Sequence, residues 1–71
     1  MDVQRLIEMA NDIANYFASD PDSEAGITGI ADHLQKFWDP RMRRQLVAHV
    51  EAGGEGLSDL ARAGVKRLAA C

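Results

Sequence analysis

Lys36 to Leu46 reads KFWDPRMRRQL, which places two aromatics, an Asp-Pro pair and three arginines within eleven residues. Side chains of these types carry recognition chemistry. Tryptophan and arginine are enriched at binding hot spots, and the arginine fork donates paired, charge-assisted hydrogen bonds to carboxylates. Phe37 and Trp38 admit two readings, packed core or interface. Arg41, Arg43 and Arg44 also admit two: a solvated basic patch, or contacts to carboxylates or helix C-termini on another chain. The run Phe37, Trp38, Asp39, Pro40, Arg41, Met42, Arg43 and Arg44 is therefore the candidate docking surface.

The other chemically capable residues are scattered. His33 and His49 are the only histidines. They do not stand at i, i+4 spacing and no acidic or cysteine cluster joins them, whereas zinc wants three or four ligands. Local hydrogen bonding is the expectation for each. Ser58 precedes Asp59 with no histidine beside it, and a helix N-cap accounts for it. EAGGEG (Glu51 to Gly56) has glycines but lacks the Lys-Ser/Thr of a phosphate-binding loop. Cys71 is the only cysteine, so neither an internal disulfide nor a multi-thiolate metal site is expected. Its replacement by serine is expected to be without consequence. No nucleophile–base pair stands out, and the chain is expected not to be an enzyme by itself, with no catalytic, cofactor-binding or metal-ligating residue of its own.

The elements that must position these residues are helical. Apolar residues recur with a period near 3.6, and neither period-2 alternation nor an Asn-Gly or Asp-Gly hairpin turn is present. A first helix is expected from Val3 to about Ala18. Its polar residues Gln4, Arg5, Glu8, Asn11, Asp12 and Asn15 share an arc of roughly 120°, leaving an apolar arc of roughly 180° that two neighbours could cover better than one. Asp20 is expected to cap a second helix with Pro21 at its first position, and Ile27, Ile30, Ala31, Leu34, Phe37 and Trp38 form its stripe. Gly26, Thr28 and Gly29 weaken its start, and the glycines could allow close helix approach. Asp39-Pro40 repeats the device, opening a third helix that runs to about Ala52 with Met42, Leu46, Val47 and Val50 as its apolar face. Gly53-Gly54 ends it. Ser58 caps a last helix from Asp59 to about Ala69. The expected fold is all-α, a small array of three to four short helices joined by tight Asp-Pro and Gly-Gly corners, as one domain over residues 1–71.

In that frame the three arginines stand in the first turn of a helix, where a cation meets the positive end of the dipole. Anions nearby would compensate. Asp39 lies four residues before Arg43 and can pair with it. Arg43 also falls between Leu46 and Val47 in the apolar arc, so it is expected to be partly buried and paired.

Composition narrows the function. Eleven acidic residues outnumber eight Lys and Arg, unlike a general nucleic-acid binder, which is basic over its footprint. No apolar run approaches the roughly 18–20 residues that cross a bilayer. The opening MDVQRLIEMAND carries charge from its second residue and has no apolar block, so no signal peptide and a soluble, cytoplasmic protein are expected. A chain of 71 residues has a thin core, burying about 60% of its unfolded surface, so marginal stability or association is expected of the chain alone.

The stretch HLQKFWDPRMRRQLVAHVEAGGEGLSDLARAGVKRL (His33 to Leu68) resembles the delta subunit of NAD-dependent formate dehydrogenases. The shared pattern is H-L-x-x-F-W-D-P-R-M-R, a helix ending in Gly-Gly, then Gly-Leu-Ser and a final helix. MANDIANYFASDPD is similar to the N-terminal helix of that family. The resemblance implies a non-catalytic accessory subunit of a bacterial hetero-oligomer. Its partner would be the large catalytic (alpha) subunit, and its role assembly, cofactor loading or stability. The resemblance further implies that partner subunits carry a molybdenum (or tungsten) bis-pterin guanine dinucleotide, iron–sulfur clusters, FMN and the NAD site, with no cofactor in this chain and no nucleic acid or membrane among its partners. The competing reading is a small helical regulatory or DNA-binding module in which DPRMRRQL opens a recognition helix and Arg41 and Arg44 meet phosphates.

Overall fold

Short polar side chains start every helix of the molecule. A computed structural model describes residues 2–70. Met1 and Cys71 lie outside the described residues, and so does the expectation for Cys71. Four helices follow one another, α1 (Val3–Phe17), α2 (Ser23–Phe37), α3 (Pro40–Glu51) and α4 (Asp59–Ala70), with no strand among the described residues. Asp2 accepts from the Gln4 amide at 3.0 Å, Asp22 from Glu24 at 3.0 Å, Asp39 from Met42 at 2.9 Å, and the Ser58 hydroxyl from Ala61 at 3.2 Å. Each such bond satisfies one of the amides that a helix start leaves without an intrahelical partner.

The two Asp-Pro pairs do different jobs. Asp39 caps α3 and Pro40 stands at its first position, as expected. Asp20 and Pro21 do not start α2. Asp20 accepts from the Asp22 amide at 2.9 Å, closing a turn, and the helix begins two residues later on Asp22. The sequences differ where it matters: in DPDS a second aspartate follows the proline and takes the cap, whereas in DPRM none is available.

The core collects one side of each helix. Leu6, Ile30, Leu34, Leu46 and Val65 are the largest fully buried side chains, and no polar or charged side chain among the described residues is buried with them. α1 touches α2, α3 and α4, so its wide apolar arc is covered by three neighbours. α2 and α4 make the closest pairing. A Cβ added at Gly64 of α4 would lie 2.8 Å from Ile30 Cβ, and one at Gly29 of α2 would lie 2.7 Å from Phe17 Cδ1. Glycine at these two places sets the spacing between helices, as expected for Gly29. α3 ends at Glu51, and the chain reverses through Gly53 (φ 128°) and Gly54 (φ 68°), a left-handed path that glycine takes without strain. No described helix is long and apolar enough to cross a membrane.

Candidate docking surface

The corner between α2 and α3 places the residues singled out in the sequence. α2 stops at Phe37, and Trp38 turns out of the helix with extended backbone (φ −94°, ψ 142°). Pro40 disfavours helical geometry in Asp39, the residue before it, and Asp39 must also be extended to cap, so the chain leaves α2 here. That exit decides the fate of both aromatics. Trp38 folds into the core and is 5% exposed, while Phe37 remains on the last turn and is 73% exposed. The expectation that Trp38 offers apolar docking area is thereby corrected: its indole is a core side chain, joining Leu34 and Leu46 in the same cluster. Phe37 departs from the core stripe because it lies on the His33 edge of α2, where its ring meets the imidazole at 4.8 Å between centroids.

The three arginines separate in the same way. Arg43 is partly buried and paired, as its place on the apolar arc suggests. Its partner within the chain is not Asp39. The guanidinium donates to the carbonyl of Trp38 and, at 3.2 Å, to that of Gln35. These carbonyls belong to the C-terminal turn of α2, where a cation satisfies unpaired acceptors and meets the negative end of the dipole. Arg43 thus ties α3 back onto α2. Asp39 spends its carboxylate on the Met42 amide, and Met42 packs half-buried against the core. Arg41 and Arg44 are exposed, and neither has a hydrogen-bond or ion-pair partner among the described residues. They line one concavity together with Asp39 and Pro40. Arg41 stands in the first turn of α3, which costs a few tenths to about 1 kcal/mol. Arg44 is the fifth helical residue, just past that turn, and nothing among the described residues compensates either charge. By contrast Lys36, Arg62 and Arg67 are held by Asp32 (3.0 Å), Asp59 (3.4 Å) and Glu24 (2.6 Å).

Elsewhere the candidates resolve into structure. His49 Nε2 is 2.7 Å from the Glu55 carbonyl oxygen and pins the loop after α3. Among the described residues no group of three or more His, Cys, Asp or Glu could hold a metal ion, so a metal cofactor has no fitting ligand set in them.

One residue that sequence reasoning passed over holds the opposite corner. Asn11 Nδ2 donates to the Gly56 carbonyl and Asn11 Oδ1 accepts from the Ser58 amide, both at 2.9 Å. In the sequence Asn11 is one of six residues on a polar arc, and nothing local distinguishes it from its solvated neighbours.

Compared with known proteins, the chain matches the model of a family described as the NADH-dependent formate dehydrogenase delta subunit FdsD, over residues 5–65. No curated protein and no solved structure matches it.

Proposed function

This chain belongs to the delta-subunit family of NADH-dependent formate dehydrogenases, and from that premise we propose that it is a non-catalytic accessory subunit docking on the large catalytic (alpha) subunit. Membership makes it a subunit of a formate dehydrogenase, a multi-subunit oxidoreductase. The docking role and its surface are our reading. The observation that carries it is the pair Arg41 and Arg44, exposed, adjacent and without a partner among the described residues.

The corner suits such a role physically. Asp39 and Pro40 fix the turn, Arg43 bonds it to α2, and buried Trp38 anchors it from beneath. Arg41 and Arg44 are presented from a rigid frame, which lowers the entropy lost on binding. Phe37 is a separate exposed apolar side chain at the end of α2. A subunit that binds only the folded catalytic partner stabilises that form by mass action, so assembly, cofactor loading and stability of the partner are served by the same contact. The molybdenum (or tungsten) bis-pterin guanine dinucleotide, the iron–sulfur clusters, FMN and the NAD site belong, on this reading, to the other subunits of a cytoplasmic complex.

The test is charge reversal. In cells making the whole complex, Arg41→Glu combined with Arg44→Glu is expected to release this chain from a tagged catalytic subunit at moderate salt while its own helicity is retained. A complex that keeps the doubly reversed chain would overturn the proposal. So would retention of the natural chain on heparin near physiological salt, with no catalytic subunit bound.

A further inference from the structure

A groove runs along α3 from Arg44 to Glu51, closed on its far side by the ends of α2 and α4. Val47, Ala48 and Leu68 give it an aliphatic stretch, and Gln35, Pro40 and Arg43, whose guanidinium is taken by carbonyls of α2, complete the lining. Its unpaired charges stand at the two ends. Arg44, with Arg41 just beyond, marks one, and Glu51 the other. It holds about 430 Å³, within the range of ligand pockets. Its lining is more apolar than polar, which suits aliphatic side chains.

We propose that this groove receives an amphipathic helical segment of the partner subunit, with a carboxylate side chain over Arg44 and Arg41, aliphatic side chains over Val47 and Ala48, and a basic side chain over Glu51. The proposal rests on the docking reading above and names the chemistry of what docks.

Charge complementarity carries it. Arg44 and Glu51 are seven residues apart on one helix, so they repeat on the same face about two turns, or roughly 10.5 Å, apart. A second helix laid alongside presents its own side chains at that interval, so an acid and a base seven residues apart on it can answer both charges together. Ala48 lies midway and is exposed. Its single methyl lets a partner backbone approach where a larger side chain would hold it off. Phe37 lies elsewhere: it is two residues from the groove-lining Gln35, hence about 160° away around α2. The groove and the exposed ring are therefore separable by mutation.

The experiment uses the assembled complex, purified through a tag on the catalytic subunit. Ala48→Trp fills the middle of the groove from an exposed position, and retention of this chain is expected to fall at least about tenfold. Glu51→Lys is expected to weaken retention severalfold. Strengthened or unchanged retention would show an occupant without the basic end and overturn the proposal. A photo-crosslinking residue at position 48 keeps the question answerable even where the tryptophan variant fails to fold. It is expected to capture a partner helix bearing an acid and a base about two turns apart. Capture of a second copy of this chain, of a segment without that pair, or of nothing would overturn the groove assignment. If Ala48→Trp is retained in full while the Arg41→Glu, Arg44→Glu pair is lost, the groove reading fails and the docking reading stands. If both are retained, both fail.

Discussion

Two corners of this molecule solve the same problem and finish differently. At the α3–α4 corner the chain reverses through Gly53 and Gly54, and polar groups from around it close on one another. Gly54 N–H donates to His49 O at 2.9 Å, His49 meets Glu55, Asn11 holds Gly56 and Ser58, and Arg62 donates to Leu57 O at 3.2 Å. At the α2–α3 corner Asp39 caps, Arg43 ties back, Trp38 is buried, and two arginines are left over. Both are rigid. The second leaves two cations, Arg41 and Arg44, unanswered by the described residues, one of them at a helix start; the first leaves the exposed carboxylates of Glu51 and Glu55 unpaired but no cation. What separates the corners is the sign and place of the leftover charge: an unpaired cation in the first turn of a helix meets the positive end of the dipole, and only a partner's anion would offset it.

The comparison is broken most severely by removing the anchor. Trp38→Ala is expected to destabilise the chain by about 3–5 kcal/mol, the cost of emptying a core aromatic site. Denaturant unfolding of the full chain measures it. A loss below about 1 kcal/mol would return the indole to the surface and undo the contrast with Phe37.

Next comes the opposite corner. Asn11→Ala removes two hydrogen bonds to the loop and is expected to cost about 1–2 kcal/mol. Thermal unfolding should register a fall of several degrees, since 1 kcal/mol shifts a domain of this size by roughly 4–8 °C. No shift would mean that the loop is held by its glycines alone.

The caps sharpen the likeness between the corners. Asp39→Ala and Ser58→Ala are each expected to cost about 1 kcal/mol, measured by the same melts. A marked inequality would show that one corner depends on its cap and the other does not.

The smallest effect on stability is expected from the most consequential change for binding. Arg41→Glu places an acid in the first turn of α3, where it is favoured by a few tenths of a kcal/mol or more, and Arg44→Glu lies just past that turn, where the effect is smaller. Circular dichroism melts are expected to show helicity kept or slightly raised. A chain unfolded by this pair would make the arginines structural and erase the distinction between the two corners.

Much of the fold was legible because it is local. A cap reaches an amide two or three residues on, a glycine takes its own left-handed turn, and apolar periodicity repeats within each helix. The starts of α3 and α4 and the Gly-Gly reversal follow from such short-range chemistry. Asp20-Pro21 misled because two aspartates competed for one helix start, and the choice turned on a geometry that the dipeptide does not carry. The docking corner was legible as a cluster but not in its roles. Phe37 and Trp38 are neighbours on the same apolar stripe, and which of them enters the core depends on α2 ending between them. The burial of Arg43 could be read from its place on the arc of α3. Its acceptors could not, because the carbonyls of Gln35 and Trp38 become available only when α3 folds back on α2.

By itself, then, the sequence determined the four helices, the caps of α3 and α4, the Gly-Gly reversal, the separation of apolar from polar faces, and a family pattern dense enough around Phe37 to Arg43 to carry the resemblance. Each of these rests on interactions spanning a few residues. The tertiary structure alone decided that Trp38 is inside and Phe37 outside, that Arg43 is spent on the chain while Arg41 and Arg44 are not, and that Asn11 bridges to residues 45 and 47 positions away. Those outcomes require helices to be brought together. Burial and long-range pairing are properties of neighbours in space, and periodicity along the chain does not name them.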